Sequence, residues 1–252
     1  MVPKLIWQTW KDSEVPEKWR GGQRSVIRAN PGWRYTLLTD ADNRSLCARY
    51  FPEYLATYDA FPHPIQRADA IRYVVLYLYG GIYLDLDYVA LKGFDSMDLD
   101  RSLGDGGMGA ALSTNSMFGR RNLTNSFMVA GAPRNPFWLR VLEETSRCVP
   151  PWADLLTHTR VFWTTGPWAL GRASRAMPGA VKPLDVTAPC DICSLEDDTC
   201  SAGSEYVLKP VRGSSWHAAE STAWTVVYCR WPESLSLVAL VLVLVVAMRR
   251  RS

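Results

Sequence analysis

The stretch Gln66–Leu91 constrains the fold most strongly, because a helix signal, a stop signal and a strand signal follow one another within it. Apolar residues recur at three- and four-residue spacing over Ala68–Leu78, which predicts a helix with one buried face. Gly80-Gly81 then ends this helix, since glycine accepts the left-handed conformation that helix C-termini favour. Apolar and polar side chains alternate over residues 82–87, and this alternation predicts a strand.

Two aspartates, Asp85 and Asp87, lie at the end of that strand. Strand periodicity places both carboxylates on one face, with their Cα atoms about 7 Å apart. Two like charges at the end of a buried strand repel each other, so one pKa rises unless a cation compensates. Mn²⁺ or Mg²⁺ suits such a pair and usually brings a phosphate ligand with it. A solvated strand end with two surface aspartates is the alternative, which the packed helix and double glycine directly before it disfavour.

The same stretch resembles the family 32 glycosyltransferases, which include Golgi initiating mannosyltransferases and inositol-phosphoceramide mannosyltransferases. The matching residues are Ala68-Asp69-x-x-Arg72-Tyr73 and Leu76-Tyr77-x-x-Gly80-Gly81-Ile82-Tyr83-Leu84-Asp85-Leu86-Asp87. Weaker matches run from the N-terminus to about His217. The resemblance implies an α/β, GT-A type nucleotide-diphospho-sugar transferase fold, with a mostly parallel central sheet flanked by helices.

The resemblance also implies roles for the charged residues of the signature. Arg72 neutralises the donor phosphate, and Asp69 hydrogen-bonds the hydroxyls of the transferred sugar. A purely structural ion pair is the alternative, because these two residues stand three apart on one helix. Asp85 touches the donor ribose and the metal, and Asp87 binds the metal through its carboxylate.

Further site positions lie outside these four residues. The resemblance implies that the other donor-binding residues are Trp7, Gln8, Thr9, Tyr83, Ser215 and Trp216. Core packing is the alternative for Trp7. Asn125 belongs to the sugar pocket, and Trp168 forms part of the acceptor wall unless it is a packed indole in a tight turn. His217 follows a small, flexible stretch and can complete the metal shell, although a lone histidine is more often structural.

The length and composition predict one catalytic domain over residues 1–232. A chain of 252 residues, 48% of them hydrophobic, buries one sizeable core. Predicted strands over Val2–Trp10 and Arg34–Asp40 alternate with helices, which indicates a largely parallel sheet. A formal charge of +3 without a lysine–arginine stripe is too small to argue for nucleic acid as a partner, so none is predicted.

The C-terminal segment, residues 233–252, predicts a membrane anchor. Leu235–Met248 carries no charge and precedes three arginines. As a helix it spans about 21 Å, less than the ~30 Å hydrocarbon core, although aromatic residues before it extend the span. A buried core element is the alternative. The arginines predict a cytosolic tail and a luminal catalytic domain in the Golgi or another endomembrane. No signal for translocation precedes the domain, so a tail anchor that faces the cytosol stays open.

The cysteines and two sequons bear on the same question. Three of the six cysteines fall within residues 189–200, where the sequence predicts a local disulfide or free thiols rather than a zinc site. Asn43 and Asn122 begin glycosylation sequons, which matter only if the domain is luminal.

Together these patterns predict a metal-dependent, retaining glycosyltransferase. The donor is a nucleotide sugar, with GDP-mannose favoured over a UDP-sugar, and the acceptor is a glycan or sphingolipid. One alternative is a haloacid-dehalogenase-like phosphatase with Asp85 as nucleophile, although that motif normally opens its domain and more than 80 residues precede it here. The other alternative is a non-catalytic, membrane-tethered sugar-binding protein.

Overall fold

A computed structural model of the chain describes residues 1–104, 107–112, 122–190 and 199–211, which form two sheets and the helices packed against them. The strands are β1 (Leu5–Thr9), β2 (Arg34–Leu38), β3 (Gly81–Leu84), β4 (Tyr88–Ala90), β5 (Met108–Leu112), β6 (Leu123–Ala130), β7 (Val181–Leu184) and β8 (Leu208–Pro210). The helices are α1 (Glu17–Ala29), α2 (Asp40–Tyr50), α3 (Pro52–Asp59), α4 (Pro64–Tyr79), α5 (Leu99–Leu103), α6 (Pro136–Thr145), α7 (Thr157–Thr164) and α8 (Pro167–Ala176). The predicted alternation of strands and helices before the signature helix is confirmed.

The main sheet has six strands in the order β2-β1-β3-β6-β5-β7, and β4 pairs with β8 in a separate two-stranded sheet. The first three strands run parallel, as predicted, and so do β5 and β7. However, β6 runs antiparallel to both of its neighbours, β3 and β5. The sheet is therefore mixed rather than mostly parallel. A physical reason is the short connection between β5 and β6, residues 113–122, because a parallel crossover needs a dozen residues or more.

Helix α4 lies at the centre of the core and is buried around most of its circumference. Residues 70–76 are all buried, including the charged Arg72. The sequence predicts one buried face only, but α6 also packs against α4, and there the rings of Tyr73 and Trp138 stack with their centroids 6.3 Å apart. The helix begins at Pro64, earlier than predicted, because proline suits the first helical position.

The predicted strand through Asp87 is too long, because β3 ends at Leu84. Asp85, Leu86 and Asp87 form a turn that leads into β4. Leu86 leaves the sheet and packs against Val15 and Trp19 instead of continuing the alternation. The two carboxylates therefore leave a turn at the carboxyl end of β3, not one face of a strand.

Other predictions concern cysteines, sequons and the C-terminal segment. Cys190 and Cys200 form a disulfide, which is one of the two predicted outcomes for the cysteines. Asn43, the asparagine of the first sequon, is fully buried, so it is not accessible to glycosylation in the folded domain. The anchor at residues 233–252, the domain boundary at 232, and Ser215, Trp216 and His217 all lie outside the described residues. Within the described part of the chain, no helix has the length and apolar character needed to cross a membrane.

The double glycine is required by the backbone and by close packing. Gly80 and Gly81 have φ angles of 68° and 89°, in the left-handed region where a side chain is strained. A Cβ at Gly81 would lie 2.5 Å from the backbone oxygen of Leu5 on the neighbouring strand. The chain can therefore leave α4 and enter β3 against β1 only where no side chain is present.

We expect Gly81→Ala to lower the free energy of unfolding by about 3 kcal/mol, because left-handed strain and a backbone clash add together. Gly104→Ala is the matched control: its φ angle of 76° is similar, but the described residues place no heavy atom within 4 Å of the added Cβ. We expect Gly104→Ala to lower the free energy of unfolding by only about 1 kcal/mol. Urea denaturation measures both, and equal losses would contradict the packing argument.

Candidate functional site

An open cleft of about 380 Å³ lies at the carboxyl ends of β1 and β3. Its size is in the range of small-molecule sites, and this edge of an α/β sheet is where ligands bind in such folds. The charged and polar residues that line it are Thr9, Lys11, Asp40, His63, Arg72, Tyr83, Asp85, Asp87 and Thr157. Two indoles, those of Trp10 and Trp19, complete one wall.

Arg72 links the cleft to the helix through a buried ion-pair network. Its Nη2 lies 3.0 Å from Oδ1 of Asp69 and 3.0 Å from Oδ1 of Asp85. Its Nη1 donates to the backbone oxygen of Asn125 on β6 at 2.9 Å. The guanidinium also lies over the ring of Tyr83, 4.9 Å from the centroid. The ion pair predicted as the structural alternative therefore exists, and it extends to Asp85.

Both oxygens of Asp69 accept hydrogen bonds from protein donors. Its Oδ1 accepts from the side-chain amide of Asn125 at 3.1 Å, and its Oδ2 accepts from the hydroxyl of Thr165 at 3.0 Å. Burial raises the pKa of Asp69, and the adjacent Arg72 opposes that rise. The network thus ties α4, β6 and the end of α7 together around one carboxylate.

Asp87 differs from the other two carboxylates because part of it has no partner. Oδ1 of Asp87 is buried and accepts no hydrogen bond from the described residues, whereas Oδ1 of Asp85 accepts one from Tyr83 at 2.9 Å. Burial, followed by the neighbouring charge of Asp85, raises the pKa of Asp87 to about 7. Burial likewise raises the pKa of Asp85 to about 6, against the attraction of Arg72.

These residues fit a divalent cation. Above the raised pKa of Asp87, the ionised carboxylates of Asp69, Asp85 and Asp87 surround the single guanidinium of Arg72, which leaves two negative charges to be balanced. An unsatisfied buried carboxylate oxygen is costly, and a hard cation such as Mg²⁺ or Mn²⁺ is the partner that such oxygens prefer. Among the described residues no cluster of three or more Asp, Glu, His or Cys side chains could hold a metal alone. Asp85 and Asp87 would therefore share the ion with phosphate oxygens and water.

The predicted residues of β1 fall in different environments. Trp7 lies in the core, where its Nε1 donates to the oxygen of Gly80, so the structure places it away from the cleft lining. Gln8 is also buried and donates to the backbone oxygen of Asp85 at 3.1 Å. Of the three, only Thr9 lines the cleft. Gln8 thus supports the aspartate turn from beneath.

A second cavity of about 150 Å³ adjoins the first. Ile65, Arg72 and Asp85 line both cavities, so the two meet at the ion pair. Asn125, predicted for the sugar pocket, lines the second cavity together with Asp69, Ser126, Phe162, Gly166 and Pro167. Trp168 is not among the lining residues and packs against Phe162, 5.8 Å between centroids.

Several residues of the site escape sequence reasoning. Thr165 lies within a predicted turn, but nothing local shows that its hydroxyl reaches Asp69. Trp10, Lys11 and Asp40 follow strands β1 and β2, and the rule that parallel strands end at one edge could have found them. The indole nitrogens of Trp10 and Trp19 are buried without partners among the described residues.

We expect Arg72→Met to lower the free energy of unfolding by about 3–5 kcal/mol, because it leaves buried carboxylates without their cation. Adding Asp69→Asn to this variant should recover part of the loss, since it removes one of the stranded charges. Urea denaturation at neutral pH measures both. A single variant as stable as the wild type would show that the network does not stabilise the fold.

The raised pKa of Asp87 predicts a dependence of stability on pH in metal-free protein. Between the ordinary pKa of 3.8 and about 7, folded Asp87 keeps a proton that the unfolded chain has released. Its contribution to stability is therefore present at low pH and is lost as the pH rises through about 7.

Asp87→Asn should remove this contribution, making the variant at least as stable as the wild type in chelator above neutral pH. It should also lose any stabilisation by Mn²⁺. Urea denaturation across the pH range measures this, with Asp59→Asn, in a surface pair with Arg44, as control. Equal pH dependence in the two variants would contradict the burial argument.

One family model matches the part of the chain that builds this site. Residues 16–103 match the family described as "Glycosyltransferase sugar-binding region containing DXD motif". This range contains α4, β3 and both aspartates of the turn.

Curated relatives match most of the chain. Inositol phosphoceramide mannosyltransferase 3 of Schizosaccharomyces pombe is 33% identical over 223 residues, which cover 87% of this chain and 57% of the relative. Mannosyl phosphorylinositol ceramide synthase CSH1 of Saccharomyces cerevisiae is 30% identical over 229 residues, covering 88% of this chain and 54% of the relative. The chain thus spans little more than half the length of these relatives.

Solved glycosyltransferase structures share the fold. The PaToxG glycosyltransferase superposes with a TM-score of 0.51 at 19% identity, over 71% of each chain. The ligand-free glycosyltransferase domain of the YGT toxin superposes with a TM-score of 0.52 at 8% identity, over 81% of this chain and 88% of that one. The GT-A type fold predicted from the sequence is therefore confirmed, with a mixed central sheet. The signature, the fold and the relatives agree, and together they support assigning the chain to the DXD-containing glycosyltransferases of family 32.

Proposed function

We propose that the chain is a metal-dependent, retaining glycosyltransferase that moves a hexose from a nucleotide sugar to a glycan or sphingolipid. The observation that carries this proposal is the buried oxygen of Asp87, which has no hydrogen-bond partner among the described residues and lies beside Asp85 in an open cleft. GDP-mannose is the favoured donor, because the relatives that match most of the chain are named a mannosyltransferase and a mannosyl phosphorylinositol ceramide synthase; a UDP-sugar is the other possibility.

Mn²⁺ or Mg²⁺ would be held by Asp85 and Asp87, with His217 as the further predicted ligand. When bound, the cation neutralises charge on the donor diphosphate and so favours departure of the nucleotide. The chain itself contributes orientation. Arg72 and Tyr83 each contact Asp85, while Gln8 holds its backbone oxygen, so this carboxylate cannot swing away from the cleft.

The two cavities suit the two substrates. The larger cleft takes the nucleotide, with Thr9 and the indoles of Trp10 and Trp19 as one wall. The smaller cavity takes the hexose and the acceptor hydroxyl, with Asp69 and Asn125 as hydrogen-bonding groups. Arg72 lies where donor phosphate and sugar would meet, so its charge also acts on the phosphate.

The surroundings of the smaller cavity support transfer with retention by displacement on one face of the sugar. Its described lining contains two carboxylates, Asp69 and Asp85, and both are engaged by Arg72 and by hydroxyl groups. Neither is placed as a free nucleophile. Leaving phosphate can then assist the incoming hydroxyl. The same engagement of Asp85 disfavours the phosphatase alternative, in which this residue attacks phosphorus.

We propose that the domain works in the lumen of the Golgi or another endomembrane. The disulfide between Cys190 and Cys200 supports this location, because disulfides persist in oxidising compartments. Asn122, which begins the second sequon, is exposed and so accessible to glycosylation. The C-terminal membrane anchor at residues 233–252 remains a prediction from the sequence.

A screen of donor hydrolysis tests the proposal. With Mn²⁺ and no acceptor, the wild type should release nucleotide from GDP-mannose, and Asp87→Ala should be at least ~100-fold slower because charge on the leaving group is no longer balanced. Asp59→Ala is the matched loss of one carboxylate and should leave the rate unchanged, because Asp59 does not line the cleft and lies in a surface ion pair. Activity that survives both Asp87→Ala and chelation would overturn the metal assignment.

A further inference from the structure

A cluster of aromatic side chains reaches the surface beside the smaller cavity. We call it the aromatic surface; it consists of Trp152, Leu155, His158, Phe162, Trp163 and Trp168. Trp152 and Leu155 are 51% and 42% exposed. The ring centroid of Trp152 lies 5.1 Å from that of Trp163 and 6.0 Å from that of Trp168. Exposed large apolar residues that adjoin each other in this way mark an interaction site, whereas single ones need no explanation.

The aromatic surface continues into the proposed acceptor cavity. Phe162 packs on Trp168 and stacks on His158, and it also lines the smaller cavity together with Asp69 and Asp85. The rings of Trp168 and Phe162 therefore connect the exposed Trp152 to the cavity that Asp69 and Asp85 line. An occupant with one apolar part and one polar part fits this arrangement.

The segment that carries the aromatic surface has an excess of positive charge, although Arg140, Arg147 and Arg172 share one buried partner, Glu144, and Arg160 pairs with Asp154. Residues 131–180 contain six arginines and only three acidic residues. Arg172 lies 4.5 Å from the ring centroid of Trp163, and the half-exposed Arg147 follows α6 beside Cys148, whose oxygen accepts from Trp163. Exposed tryptophan next to excess arginine is typical of the interface with an anionic bilayer.

We propose that the aromatic surface contacts the interface of a membrane that contains anionic lipids. Trp152 and Leu155 insert at headgroup level, and the net positive charge of the segment attracts the lipid phosphates. The contact brings the smaller cavity to the membrane, so that a lipid acceptor can present its hydroxyl there without leaving the bilayer. The role in acceptor delivery rests on the proposed function, whereas the membrane contact itself does not.

A dye that reports insertion tests the contact directly. Leu155→Cys carries an environment-sensitive fluorophore in a full chain in which Cys148, Cys193 and Cys229 are replaced by serine. Ile27→Cys is the matched control, because Ile27 is equally exposed at 42% but lies on α1. With phosphatidylcholine vesicles containing phosphatidylinositol, the dye at position 155 should brighten and shift to the blue, and the dye at position 27 should not. Pure phosphatidylcholine or high salt should weaken the response.

A second measurement uses transfer to a lipid acceptor in vesicles. Trp152→Ala with Leu155→Ser should raise the apparent KM for the lipid acceptor about tenfold, because apolar area no longer enters the interface. Donor hydrolysis without acceptor should stay as in the wild type, and Ile27→Ser should change neither quantity. Loss of donor hydrolysis in the double variant would identify a structural role and overturn the inference.

The outcomes separate the two proposals. A wild-type chain that neither hydrolyses nor transfers from any nucleotide sugar defeats the proposed function, while a vesicle response at position 155 still supports the membrane contact. Transfer to lipid with equal responses at positions 155 and 27 defeats the membrane contact alone. A response at position 155 that needs no vesicles and grows with protein concentration would identify a second copy of the chain and overturn the inference.

Discussion

The buried guanidinium of Arg72 is the interaction on which the site depends. A charge in this position must be paired, and its partners come from three elements: Asp69 on α4 itself, Asp85 after β3, and the backbone of Asn125 on β6. Each partner fixes one wall of the cavities. Because Arg72 pairs with Asp69 and with one oxygen of Asp85, the remaining negative charge lies at Asp87, whose Oδ1 accepts no hydrogen bond from the described residues.

The sequence predicts the elements of this arrangement whose signals are local. Helix α4, its glycine stop and the two aspartates follow from spacing alone, and the first strands follow from short apolar runs. The sequence does not predict where β3 ends. Leu86 packs against Val15 and Trp19 instead of continuing the strand, and these two residues are distant in the chain. Nor does the sequence predict the direction of β6, since strand pairing depends on partners rather than on the strand's own residues.

Strand β1 shows why residue roles are harder to predict than elements. Both faces of this strand are covered, so its side chains do not alternate between apolar and polar, and periodicity cannot tell which face carries the site. The structure turns Trp7 into the core and leaves Thr9 at the cleft, with Trp10 just beyond the strand. The contact of Thr165 with Asp69 joins residues 96 positions apart, which no local pattern encodes.

The shared wall of the two cavities limits how far their functions can be separated. Arg72 and Asp85 line both, so a change at either alters the charge that donor and acceptor experience together. Residues on one side only, such as Thr9 in the larger cleft and Asn125 in the smaller cavity, act on one substrate more selectively. Yet Asn125 also donates to Asp69, and so its side chain reaches the ion pair through one hydrogen bond. A substitution close to Arg72 therefore affects both substrates. Substitutions that alter acceptor binding alone are best made farther from Arg72, near Phe162, which lines the smaller cavity and packs against Trp168 of the aromatic surface.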